Sequence, residues 1–62
     1  MPFIQIDGPV LTKEKKAQLI KALTEAASTT LGIPSQAFSV LIRETPPDNV
    51  GVGGTQLSEL RK

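Results

Sequence analysis

The second residue of the chain is the first candidate for chemistry. Met1 is followed by Pro2, and a small residue at this position normally permits removal of the initiator methionine. Processing would leave Pro2 with a free secondary amine at the start of the chain. An α-amino group titrates at about 7.7–8.0 in model peptides, and burial beside apolar groups lowers that pKa. An amine of this kind can act as a general base near neutral pH.

A group of cations is the second candidate. Lys13, Lys15 and Lys16 fall in the first turn of a predicted helix, where the helix dipole disfavours positive charge. One interpretation is a carboxylate site that also uses the free N–H groups of the helix start, and the other is a solvated basic face. Arg43 is a further cation. It either stabilises the developing charge of an enolate or pairs with an acid such as Glu44 of another subunit.

The composition argues against several other kinds of site. The chain has neither Cys nor His, which excludes a disulfide, a thiolate zinc site and an imidazole base. Without an imidazole the serines have no activating partner, so a serine hydrolase is disfavoured. The run Gly51–Gly54 is followed by Thr55 and not by Lys, which excludes a phosphate-binding loop. We therefore expect no metal and no cofactor.

Charge and aromatic content limit the partners. Seven Lys and Arg against six Asp and Glu give a net charge of +1, and Phe3 and Phe38 are the only aromatic residues, so no nucleic-acid partner is expected. No apolar run reaches membrane-spanning length and no signal-peptide pattern is present, which predicts a cytoplasmic protein without a membrane partner. We expect one domain over residues 1–62. Chains this short that lack disulfides and metals usually depend on self-association, which predicts a homo-oligomer.

A predicted strand and a predicted helix in the first half of the chain must position these residues. Alternating apolar residues in Phe3–Asp7 predict a first strand, which a Gly-Pro pair ends. A helix is predicted over Lys13–Leu31, with Thr12 as its N-cap and Gly32 just past its end. The helix carries an apolar stripe of Leu19, Ile20, Leu23, Ala26, Ala27 and Leu31.

A second strand is predicted over Phe38–Glu44, so that strand, helix and strand form a βαβ unit with parallel strands and a right-handed crossover. One face of this strand holds Phe38, Val40 and Ile42, and the other holds Ser39, Leu41 and Arg43. Leu41 makes the second face partly apolar, which indicates that another subunit covers it. The glycine-rich segment Val50–Gly54 predicts a small hairpin that also packs on another subunit.

The predicted geometry separates the two candidates for chemistry. A strand of about six residues spans roughly 20 Å, so the lysines lie at the far end of the first strand from Pro2. They approach Pro2 only from a neighbouring subunit whose first strand runs antiparallel. The pattern therefore predicts a composite site in an oligomer.

Taken in order, these segments resemble the 4-oxalocrotonate tautomerase family of the tautomerase superfamily. The resemblance is carried by Met1-Pro2, Glu14-Lys15-Lys16, Leu19-Ile20, Val40–Glu44 and Asn49–Gly54, and it covers nearly the full chain. It implies an α+β fold: a βαβ protomer with a short C-terminal hairpin, whose sheet is completed in a dimer, often within a hexamer. It also implies an isomerase in which processed Pro2 shifts a proton on small unsaturated 2-keto or 2-hydroxy acids.

Three positions depart from the pattern of the family. Its enzymes usually carry one Arg just before the helix and another early in the second strand, whereas Gly8–Thr12 contains no Arg and the second position is Ser39. Val50 replaces a common aromatic residue. The candidates for binding a small carboxylate substrate are therefore Lys13, Lys16, Ser39, Arg43 and Val50. Two alternatives remain open: a non-catalytic homo-oligomeric module of the same fold that binds a ligand or another protein, and a hydratase or dehalogenase that uses the same amine.

Overall fold

The chain folds as strand, helix and strand, followed by a small hairpin. In the computed structural model, which describes residues 1–60, strand β1 spans Phe3–Gly8, helix α1 spans Lys13–Leu31 and strand β2 spans Ser39–Glu44. Strands β1 and β2 pair in parallel, with Phe3 opposite Ser39 and Gly8 opposite Glu44. The α+β fold class and the βαβ order predicted from the sequence are confirmed.

The strand boundaries differ from the prediction by one residue each. Gly8 still pairs in β1, and its carbonyl accepts a hydrogen bond from the Thr45 N–H at 2.8 Å. Phe38 lies outside β2, because its N–H donates to the carbonyl of Ser35 at 3.1 Å and closes a 3-10 turn over Ser35–Ala37. That local hydrogen bond leaves Ser39 as the first residue of the strand.

Helix α1 begins and ends where the sequence predicts. The hydroxyl of Thr12 accepts a hydrogen bond from the Lys15 N–H at 3.2 Å, which satisfies one of the free donors of the first turn. At the other end Gly32 has a φ of 69°, a left-handed conformation that favours glycine, and its N–H donates to the Ser28 carbonyl at 2.9 Å. These two caps fix the length of the helix.

The inner face of the sheet is apolar and half-buried. It consists of Ile4, Ile6, Val40 and Ile42, and α1 packs against β2. On the helix, Leu19, Leu23 and Ala27 of the predicted stripe are half-buried. The remaining members of the predicted stripe, Ile20, Ala26 and Leu31, are exposed, because a two-stranded sheet is too narrow to cover the whole stripe. Within residues 1–60 no side chain is fully buried. A single protomer therefore lacks a closed core.

The outer face of the sheet is uncovered. Phe3 is 61% exposed and Leu41 is 43% exposed, and both lie on the side away from the half-buried isoleucines. Burial of apolar surface is the main favourable term in association. This face thus has the composition expected of a surface that another subunit covers.

The tail forms the predicted hairpin. After a 3-10 turn at Pro47–Asn49, strands β3 (Gly51–Val52) and β4 (Thr55–Gln56) pair antiparallel, and helix α2 spans Leu57–Leu60. The two hairpin glycines between the strands have φ values of 60° and 87°, as a tight hairpin turn requires. Among the helices within residues 1–60, none is both long and apolar enough to cross a bilayer.

Candidate active site

One end of the β1–β2 sheet carries Pro2 and Ser39, and we call it the amine end. The carbonyl of Pro2 accepts a hydrogen bond from the Ser39 N–H at 3.1 Å, which extends the strand pairing by one step. Pro2 is half-buried, whereas Met1 is 95% exposed. The proline is therefore held by the sheet, and loss of Met1 would remove almost no packing.

The opposite end of the sheet borders a cavity of about 370 Å³, and we call it the cavity end. The strand ends and the residues just after them supply Asp7, Gly8, Pro9 and Thr45 to its wall, and the tail supplies Pro47, Val50 and Leu57. The Leu57 N–H donates to the carbonyl of Val50 at 2.7 Å, so the tail folds back and closes one side. The wall of the cavity is mostly apolar.

Glu44 joins three elements beside the cavity. One carboxylate oxygen, Oε2, accepts a hydrogen bond from the Leu11 N–H at 2.9 Å, and the other, Oε1, lies 2.8 Å from Nζ of Lys16. The hydrogen bond with Lys16, and after it the one from Leu11, lowers the pKa of the Glu44 carboxyl. Glu44 thus ties the end of β2 to the start of α1 and to the segment that precedes it.

Arg43 is held on the outer face of the sheet by its cross-strand neighbour. Its Nε lies 2.7 Å from Oδ1 of Asp7 and its Nη2 lies 3.1 Å from Oδ2, a two-point contact between guanidinium and carboxylate. With its amide oxygen turned towards the guanidinium, Gln5 accepts from Nη2 at 2.8 Å. Hydrogen bonding to Arg43 lowers the pKa of Asp7, and the same bond raises the pKa of Arg43. Within this chain the acid that pairs with Arg43 is Asp7, and pairing with Glu44 of another subunit stays a prediction.

The predicted site residues divide between the two ends. Pro2 and Ser39 meet at the amine end, and Val50 lies in the cavity wall. Arg43 pairs with the wall residue Asp7, and Lys16 pairs with Glu44, the last residue of β2. Lys13 opens α1 on the cavity-end side of β1 and is exposed. Within one protomer the structure brings Pro2 together with Ser39 and with none of the candidate cations.

The sequence analysis missed most of the cavity wall. Gly8 and Thr45 lie at the carboxyl ends of parallel strands, and those ends meet at one edge of a sheet, a rule that would have found both residues. Leu57 reaches the wall only because the hairpin returns it to Val50, and no pattern in the sequence indicates that contact. One end thus presents the proline that follows Met1, and the other presents an apolar cavity whose wall residue Asp7 pairs with Arg43.

Comparisons with known proteins identify the family. Residues 2–60 match the family model described as tautomerase enzyme. A probable tautomerase from Ralstonia nicotianae is 43% identical over 65 residues, which cover 100% of this chain and 90% of the relative. A 2-hydroxymuconate tautomerase from a Pseudomonas species is 37% identical over 65 residues, and this match covers 100% of both chains.

Solved structures agree with this similarity. TomN, a 4-oxalocrotonate tautomerase homologue of the tomaymycin biosynthetic pathway, has a TM-score of 0.89 and 39% identity over 97% of this chain and 94% of TomN. A heterohexamer 4-oxalocrotonate tautomerase from Chloroflexus aurantiacus has a TM-score of 0.88 and 34% identity over 98% of this chain and 100% of that one. Sequence, fold and relatives agree, and the chain belongs to the 4-oxalocrotonate tautomerase family and is an enzyme of its isomerase type.

Proposed function

We propose that the enzyme shifts a proton on small unsaturated 2-keto or 2-hydroxy acids, with the amine of Pro2 as its general base after removal of Met1. The observation that supports this proposal is the arrangement of Met1 and Pro2 at the amine end. Pro2 is anchored to Ser39 through its carbonyl, so its nitrogen lies at the chain end, and Met1 is almost wholly exposed. Processing would free the nitrogen without disturbing the anchor.

The reaction is a proton transfer without net oxidation or reduction. Neutral Pro2 takes the proton from the enol oxygen of the substrate, and the electron pair moves through the enol to form the ketone. The Pro2 ammonium then returns the proton to carbon. Negative charge develops on the substrate oxygens in between, and cations placed there stabilise the transition state more than the substrate.

The substrate carboxylate is proposed to bind at the cavity end. Lys13, Lys16 and Arg43 are the candidate cations, with Ser39 beside Pro2 and Val50 in the cavity wall. Lys16 and Arg43 each already hold a carboxylate, from Glu44 and Asp7, whereas no ion pair is formed by Lys13 within residues 1–60. A substrate carboxylate would therefore compete with a protein carboxylate at two of the three cations.

Such a site needs a homo-oligomer, because the base and the cations of one chain lie at opposite ends of β1. The exposed Phe3 and Leu41 of the outer sheet face, and the lack of any fully buried side chain within residues 1–60, support association. The Chloroflexus aurantiacus relative is a heterohexamer, which supports six chains here as well. Dimers of βαβ units would then be the building block. A cytoplasmic location stays a prediction.

The experiment compares the same protein with and without Met1. A preparation made by cell-free synthesis with methionine aminopeptidase inhibited retains Met1, and its Pro2 nitrogen is an amide without a basic lone pair. Ketonisation of phenylenolpyruvate and of 2-hydroxymuconate is followed by absorbance, and the intact mass gives the processed fraction. We expect the Met1-retaining form to be slower by about 10²- to 10⁴-fold, the usual contribution of a general base.

Addition of active aminopeptidase to the same sample is the matched control. Activity should rise in proportion to the processed fraction, with no change in the molecular mass of the oligomer. Equal turnover by fully Met1-retaining and fully processed protein would remove Pro2 from the mechanism.

A further inference from the structure

The cavity at the far end of the sheet has an unusual wall for a site in an enzyme that acts on acids. Pro9, Pro47, Val50 and Leu57 are apolar, and Asp7 is the single charged residue among those that form the wall. The volume of about 370 Å³ lies within the range of small-molecule sites. The volume therefore suits part of a small ligand, and the composition of the wall indicates which chemical group fits there.

A carboxylate inside this cavity would have no cation in the wall to receive it. The charge of Asp7 has the same sign, and its carboxylate is already engaged by Arg43 at 2.7 Å on the outer face. Removing an ionised carboxylate from water without a partner is strongly unfavourable. A dianionic substrate could satisfy one carboxylate on the cations beside the cavity, but its second carboxylate would have to stay in solvent.

In contrast to a carboxylate, an apolar chain inside the cavity would be favourably buried. The side chains of Val50 and Leu57 and two proline rings would remove it from water, and each buried methylene is worth about a fourfold change in affinity. The backbone bonds from Thr45 to Gly8 and from Leu57 to Val50 hold this wall in place before any ligand arrives. The site is thus largely formed in advance.

We infer that the cavity is the subsite for an apolar tail, so that the preferred substrate is the enol of a monocarboxylic 2-keto acid with an alkyl or aryl substituent, and not a dicarboxylate. The inference rests on the proposed function, because the amine that takes the enol proton would come from Pro2 of a neighbouring chain. The O–H bond of the enol breaks, a C–H bond forms at the carbon that bears the tail, and no other reactant is consumed.

The test uses processed enzyme and a series of enols of 2-keto acids whose tails lengthen from methyl to butyl and phenyl, with 2-hydroxymuconate as the dicarboxylate. We expect kcat/KM to rise by about fourfold per methylene until the cavity is full. The phenyl compound should exceed 2-hydroxymuconate by at least about tenfold, a usual discrimination by an apolar pocket. A flat series, or a preference for the dicarboxylate, overturns the inference.

A matched pair of variants assigns the effect to the cavity. Leu57 is half-buried in the wall, whereas Leu60 of the same short helix is 56% exposed and lies outside it. Leu57→Ala should cut kcat/KM for the phenyl compound by about tenfold and make the dependence on tail length shallower. Leu60→Ala should leave that dependence unchanged. Equal effects of the two variants would place the tail elsewhere.

Two further outcomes keep the inference separate from the proposed function. Pro2-dependent turnover with a dicarboxylate preference rejects the apolar subsite and leaves the base in place. If no compound is turned over, calorimetric binding of unreactive 3-phenylpropanoate and adipate still decides. Tighter binding of 3-phenylpropanoate that is weakened by Leu57→Ala supports the subsite, and tighter binding of adipate, or no binding of either, overturns it.

Discussion

The amine end and the cavity end of the same two strands differ in how much structure supports them. At the amine end a single backbone hydrogen bond of 3.1 Å holds Pro2 against Ser39, and the residue before it is exposed. The cavity end has two ion pairs, a hydrogen bond that the Leu11 N–H donates to the Glu44 carboxylate, and an apolar cavity that the folded tail closes on one side. An amine base needs only a fixed backbone and a free nitrogen, whereas recognition of a substrate needs a cavity formed by several residues.

The proposed mechanism requires more than one chain because the two ends lie far apart. The six residues of β1 separate the two ends, at about 3.3 Å per residue, so a small acid cannot reach both. In the proposed oligomer, a neighbouring chain in antiparallel orientation would bring its Pro2 to the cavity end without any change in the protomer.

The first prediction is that two inactive chains restore activity when they are mixed. One chain keeps Met1 and has no basic Pro2 nitrogen, and the other carries Leu57→Glu, which puts a second negative charge into the cavity wall. Each alone should lose activity by about 100-fold or more. After joint unfolding and refolding at equal amounts, about a quarter of the sites should combine an intact amine with an intact cavity in a symmetric oligomer.

The control for mixing replaces Leu57→Glu by Leu60→Glu, which leaves the cavity wall intact. About half of the sites should then be active, because every cavity is intact and half of the chains carry a free Pro2 amine. If the Leu57→Glu mixture stays inactive while this control recovers, both ends of a site belong to one chain and the comparison of the two ends fails.

The second prediction concerns the cations of the cavity end. Replacing Lys13, Lys16 or Arg43 by Ala, whichever contacts the substrate carboxylate, should lower kcat/KM by about 10- to 150-fold, the loss expected for a charged hydrogen bond. The pH profile should keep its basic limb to within the small shift caused by losing one nearby positive charge, because these cations bind the substrate and do not act as the base. Steady-state kinetics against pH measures both effects.

Lys15 provides the matched control, since it lies in the same helical turn and is exposed. Lys15→Ala should reduce kcat/KM much less than the responsible variant. If Lys13→Ala, Lys16→Ala and Arg43→Ala all behave like Lys15→Ala, the cations form only a solvated face, and backbone N–H groups become the leading candidates for holding the carboxylate.

The third and smallest effect is expected from Glu44→Gln. The amide can still accept the Leu11 N–H but loses the ion pair with Lys16. The pKa of Glu44 is lowered from its ordinary value of 4.5 in the folded chain, so the ion pair stabilises the fold above that pH, and the stabilisation disappears as the pH falls through the lowered value. The parent should therefore be slightly more stable near neutral pH, and the two proteins should converge in acid.

Urea denaturation at a fixed chain concentration measures this difference, with the exposed helix variant Glu25→Gln as the control. Glu44→Ala should cost more than Glu44→Gln, because it also leaves the Leu11 N–H without its acceptor. A stability difference between parent and Glu44→Gln that is constant from acid to neutral pH would contradict the role given to the ion pair.

The regular elements could be predicted because local signals determine them. Thr12 and Gly32 cap the helix where their side-chain and backbone preferences predict, and the glycine-rich segment Val50–Gly54 predicts the hairpin. Local signals failed where a competing hydrogen bond decided the outcome, as when Phe38 joined a 3-10 turn and left β2. They also overestimated the buried stripe, since Leu31 remains exposed in the protomer.

The site was less predictable, because its contacts depend on strand register. Asp7 faces Arg43 and Gly8 faces Glu44 only in the observed pairing, and a shift by one residue would give both residues different partners. The sequence indicated that Lys16 and Arg43 could serve a ligand, but not which acids they hold. Pro2 was easier to identify as a candidate, because its proposed chemistry depends only on its position directly after Met1.

The absence of a fully buried side chain within residues 1–60 indicates that folding of the protein is coupled to its association. A chain that closes its core against another copy acquires its fold in a reaction of second or higher order, so dilution lowers both the yield and the rate. In the proposed assembly the amount of active site would rise more steeply than the amount of chain when synthesis begins. Below the dissociation constant of the dimer, the gene could be expressed and the activity still be missing.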